Sequence, residues 1–146
     1  MSTINATNIV ADALVGNTSA NAITVRGEGS ATTSLQQGLC KAWSNYNQST
    51  SNEAIADSFN VASISDDAEG FHTVNFTSAM SNTNYSVSVY FRRNSNSNTG
   101  GGNLTSNSTD SKTASAMKFK TIYIDTNAQN VTDYAENSHH FMGDLA

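Results

Sequence analysis

Few residues in this chain could do chemistry. There is one Cys, Cys40, one Trp, Trp43, and three His, of which His139 and His140 are adjacent. A nucleophilic Cys40 would need a base and an electropositive setting nearby. The stretch around it, LQQGLCKAWSNYN (35–47), supplies neither, so Cys40 reads as a small buried hydrophobe. Neighbouring His on a strand point to opposite faces, so His139-His140 lacks the H-x-H spacing that would suit metal coordination. Asp66, Asp67 and Glu69 before Gly70 put carboxylates in one turn but without the register of a calcium loop, and read as an acidic hairpin turn. No G-x-S-x-G, phosphate loop, metal triad or spaced carboxylate pair occurs. The chain therefore reads as non-enzymatic, with no catalytic, cofactor-binding or metal-binding residue and no cofactor.

Two non-catalytic roles remain for the chemistry-bearing residues. Trp43 could stack on a sugar, but a lone Trp beside Leu39 and Ala42 reads first as a packing anchor or as a plug between subunits. Residues 94–111 carry no hydrophobic periodicity and a triple glycine, the pattern of a long mobile loop exposed at one end of a domain. With its aromatic neighbours, this loop is the candidate for binding a glycan, through Tyr90, Phe91, Asn98, Gly100 and Asn103.

Composition limits the partners. Ser, Thr and Asn dominate, and Asp, Glu, Lys and Arg make up only 13% of 146 residues, so the surface is polar but largely uncharged. A net charge of −5 with seven Lys and Arg argues against nucleic acid and against a basic membrane-binding face. Met1 is followed by polar residues with no apolar leader, and no stretch is long enough to span a bilayer, so synthesis in a cytosol is expected. A single Cys rules out an internal disulfide, which fits a reducing compartment.

These residues must be positioned by strands, because Ser, Thr and Asn compete for backbone hydrogen bonds and disfavour helix. Residues 1–34 hold only thin apolar groups (Ile4, Ile9, Val10, Leu14, Val15, Ile23, Val25). Such a segment cannot offset its own ordering entropy of ~1–2 kcal/mol per residue, so it is disordered or borrows its core from other chains. AITVRGEG (22–29) reads as a short strand ended by a glycine turn. After Cys40 the pattern becomes strands and turns. Alternation puts His72, Val74 and Phe76 on one face of FHTVNFTSAM, and Tyr85, Val87, Val89 and Phe91 on one face of NYSVSVYF. Parity breaks predict a bulge near Ala62-Ser63, and near Lys120 either another bulge or a strand covered on both faces by other chains; one last strand is expected through Val131, Tyr134 and Phe141.

The stretch from Leu35 to Val87 resembles a module of tailed-bacteriophage structural proteins of the marine tail-fibre type. The matching elements are Leu35 to Leu39, Lys41-Ala42-Trp43, Asn45-Tyr46-Asn47, Asp57 to Asp66, Gly70, Thr73 to Met80 and Asn84 to Val89. Ser81 stands where a Pro is usual, and His72 where a Tyr is more typical. The resemblance implies a virion protein that assembles as a homotrimer, its N-terminal segment attached to other virion proteins and its β domain projecting.

Together these readings give an all-β chain: an extended attachment segment over 1–39, then an antiparallel β-sandwich-like domain over 40–146, assembled as a trimer. Leu35, Leu39, Cys40 and Trp43 mark the seam, as the start of the packed domain or of its subunit contact. The expected function is that of a virion structural protein, with a host-glycan adhesin as the alternative.

Overall fold

The computed structural model describes residues 23–26, 30–49, 54–92, 103–104, 112–125 and 128–146. It divides into two units, Met1–Gly38 and Leu39–Ala146. In the first, β1 (Thr24–Arg26) and β2 (Thr32–Ser34) form an antiparallel hairpin, followed by the single helical turn α1 (Leu35–Gly38). The Ser34 hydroxyl caps that turn by accepting from the Gln37 amide at 3.3 Å. Thr24, Val25 and Thr32 of the hairpin are exposed, Val25 by 52%.

The second unit is all-β, with two antiparallel sheets packed face to face. One runs in the order β4-β3-β11-β7, from β3 (Cys40–Asn47), β4 (Ala54–Phe59), β7 (Ser86–Arg92) and β11 (Glu136–Met142). The other runs β10-β9-β6-β5, from β5 (Val61–Ala68), β6 (Phe71–Phe76), β9 (Ala116–Asp125) and β10 (Ala128–Val131). The short β8 (Asn103–Leu104) also pairs with β9.

Period-2 alternation places the core. β6 buries His72, Val74 and Phe76, while β11 buries Asn137, His139 and Phe141. Tyr85 is buried, and Val87, Val89 and Phe91 point to the same side, half-buried. Between the sheets Phe141 meets Phe76 edge-on at 4.8 Å and Tyr85 at 6.0 Å, the aromatic geometry that favours ring quadrupoles. The Tyr85 hydroxyl reaches the rim and donates to the Thr113 carbonyl at 2.9 Å.

Asn60 turns the chain from one sheet to the other. Its φ of 55° lies in the left-handed region, which Asn tolerates better than most residues. The side chain then staples the corner: Nδ2 donates to the carbonyls of Lys41 and Ser78, both at 3.0 Å, and Oδ1 accepts from the Ser78 amide at 2.7 Å. The bulge expected near Ala62-Ser63 is present as a register shift between Val61 and Ser63.

Gly70 closes the β5-β6 hairpin at φ 68°, and a Cβ there would lie 2.8 Å from the Thr121 carbonyl oxygen and the Thr132 nitrogen. Both are backbone atoms that cannot step aside. Gly70→Ala is expected to destabilise the unit by at least ~2 kcal/mol; a melting temperature equal to that of the parent would show the turn to be unstrained.

Three expectations are corrected. The acidic turn is shorter than 66–70: β5 continues to Ala68 with a register shift between Asp66 and Ala68. The tail forms two strands, β10 and β11, in opposite sheets rather than one, since residues 132–135 cross between them. In β9 the parity switch goes with a change of partner: residues 116–120 pair with β6 and residues 122–125 with β10. Most of the 94–111 loop lies outside the described residues; within it, residues 103–104 are strand.

Candidate functional site

Among the described residues two places gather side chains able to do chemistry, one sealed between the sheets and one on a sheet's outer face. The sealed one begins with alternation on β6 and β11, which aims His72 and His139 at each other from facing sheets. Their Nε2 atoms are 3.3 Å apart, and neither residue is exposed to solvent. Ser44 Oγ holds His139 Nδ1 at 3.2 Å. Tyr46 lies edge-on to His72 at 5.1 Å and stacks on His139 at 5.6 Å, and Phe119 stacks on His72 at 5.2 Å.

Only one of two facing Nε2 atoms can carry the bridging proton, so the contact is a single hydrogen bond between neutral rings. Burial pushes the His72 imidazolium pKa down to about 3, with Asp67 pulling weakly the other way. Burial pushes His139 well below the ordinary value too, and the neighbouring His72 and His140 add to it. His72 Nδ1 has no hydrogen-bond partner among the described residues. With both rings fully buried, the pair forms a polar bridge between the two sheets.

His139 and His140 do point to opposite faces, buried and exposed respectively. The partner of His139 is His72, sixty-seven residues earlier. The acidic turn does other work: Asp67 accepts from the Thr73 hydroxyl at 2.7 Å and pairs with Lys118 at 3.0 Å. Burial raises the Asp67 carboxyl pKa, but the Thr73 hydrogen bond and Lys118 outweigh it and hold the carboxyl below its usual value. No three His, Cys, Asp or Glu side chains among the described residues are grouped to hold a metal ion.

The seam residues separate. Leu35 lies half-buried in α1, Leu39 is 53% exposed at the start of the second unit, and Cys40 is half-buried with its thiol donating to the carbonyls of Ala42 (3.1 Å) and Phe141 (3.4 Å). Trp43 is half-buried on the outer face of β3. There its Cα partners are Phe59 on β4 and His140 on β11, and His140 in turn faces Ser88 on β7. Because directly opposed residues share a face, these four form one row across the sheet. Phe59 is 52% exposed and His140 is exposed.

Comparison of the chain with protein-family models, with curated proteins and with solved structures finds no match. Its function must be read from its own geometry.

Of the residues assigned to glycan binding, Tyr90 is 55% exposed on this same outer face, opposite Ser138. Phe91 points the other way, half-buried and stacked on Tyr134 at 5.9 Å. Asn103 opposes Ile122 in β8, and Asn98 and Gly100 lie outside the described residues. Phe59 and His140 are missing from the sequence-level site. The only signal for them was parity within their own strands, and parity does not say which strand lies alongside.

Proposed function

We propose that this chain is a non-enzymatic structural component of a tailed-phage virion. It assembles as a homotrimer whose N-terminal segment docks on other virion proteins while the β-sandwich projects. The observation that carries this reading is the exposure of the β1-β2 hairpin, where Thr24, Val25 and Thr32 all lie open to solvent. A two-stranded hairpin is marginal in water by itself, and one that exposes Val25 is stabilised when a second surface covers that side chain, the role this reading gives to another chain. The likeness of residues 35–87 to phage structural modules supports the same reading, as does a polar, weakly charged surface that lets copies pack without repulsion.

Light scattering on the full chain is expected to give a particle of three 15.5 kDa copies. Val25→Asp should reduce that particle to monomers while leaving the unfolding of the β-sandwich in place. A folded monomer from the parent chain, or a trimer indifferent to Val25→Asp, would overturn the assignment.

A further inference from the structure

We propose that the outer face of the β4-β3-β11-β7 sheet binds an uncharged oligosaccharide, with sugar rings laid across the row Phe59, Trp43 and His140. Strand pairing builds two parallel rows on this face. The first is the ring row ending at Ser88. The second, two residues along each strand, is Asp57, Asn45, Ser138 and Tyr90, again set by direct Cα pairing. Adjacent strands are ~4.8 Å apart, so successive rings of the first row are spaced by about the length of one pyranose.

The chemistry of the rows matches the two-sided chemistry of a sugar ring. A pyranose offers C–H groups on its flat face, which pack on an aromatic π surface, and hydroxyls around its edge, which need donors and acceptors. Here the rings lie in one row, and an amide, a hydroxyl and a carboxylate lie in the next. Trp43 is half-buried, so its side chain is already partly ordered and less entropy is lost when a ligand docks.

Charge and area select the occupant. Besides His140, Asp57 is the only acidic or basic side chain in the two rows. At the β11-β7 end beyond Ser138 and Tyr90, Arg92 and Glu136 neutralise each other at 2.7 Å. An anionic polymer would find no free cation in the rows, and an uncharged one is not penalised. Phe59 and Tyr90, each about half exposed, offer on the order of 100 Å² of ring surface apiece. Ring surface of that size suits a few sugar rings. The site lies within one protomer and does not rest on the assembly reading.

Trp43 is the only Trp in the chain, so its emission reports on this face alone. The full chain would be titrated with cello-, malto-, manno- and xylo-oligosaccharides and with an oligogalacturonate, following Trp43 emission and binding heat together. The expected result is a saturable blue shift with at least one neutral sugar and none with the charged one. Phe59→Ala, a change at an exposed side chain, should weaken that binding about tenfold with melting unchanged. The proposal is overturned if no neutral sugar gives either shift or heat, or if only the charged sugar binds. It is equally overturned if Phe59→Ala binds as the parent does, or if the shift follows protein concentration without sugar, which would mean that a second copy covers the face.

Discussion

Lowering the pH from 7 to 5 is expected to cost the β-sandwich about 4 kcal/mol of stability, through two histidines that the fold keeps neutral. In the unfolded chain His72 and His139 take up protons with a pKa near 6.5. In the fold burial holds His72 to about 3 and His139 well below 6.5, so the unfolded state binds more protons throughout this window. The stability is complete above the unfolded value and is lost as pH falls toward the folded one, at ~1.4 kcal/mol per pH unit for each ring. Protonating both would also set two N–H groups against each other across the 3.3 Å contact. Asp67, the carboxylate acting on His72, has its own pKa held below the usual value, so it stays ionised over most of this range. Urea unfolding at pH 7, 6 and 5 measures the slope. His72→Tyr keeps an aromatic ring but removes one titrating group, and should roughly halve it. An unchanged slope in that variant would show that the pair is not the source.

The second large effect separates the inner and outer faces. Phe141 has no exposed surface and packs against Phe76, Tyr85, Phe119 and His139. Phe141→Ala is expected to cost ~3–5 kcal/mol, from lost transfer energy plus an unfilled cavity among rings that cannot collapse inward. Trp43 is only half-buried, so Trp43→Ala should cost about half as much by area. Denaturation followed by far-ultraviolet circular dichroism compares them without needing the indole. Equal losses would mean that Trp43 is covered by something beyond its own sheet.

That ranking reverses the weight that composition places on Trp43. As the single Trp it stands out in the sequence, whereas Phe141 is one of six Phe spread from position 59 to 141. The inward stripes of β6 and β7 were legible because alternation is a local property, and so was the bulge beside Ala62, where parity slips within one run. The crossing at residues 132–135 was not legible. Val131, Tyr134 and Phe141 are compatible with one strand until the backbone groups of β10 find β9 and those of β11 find β3 and β7.

The candidate site divides in the same way. Sequence alone determined that the chain would be strand-rich and that His139 and His140 would face apart, since each follows from residue type and a two-residue period. Only the tertiary structure decided that His139 would meet His72 and that Trp43 would stand between Phe59 and His140. Those neighbours come from strands far apart in the chain, and their register is set by the corner at Asn60 and by the packing of the two sheets. A one-residue slip in that register would move every ring to the opposite face.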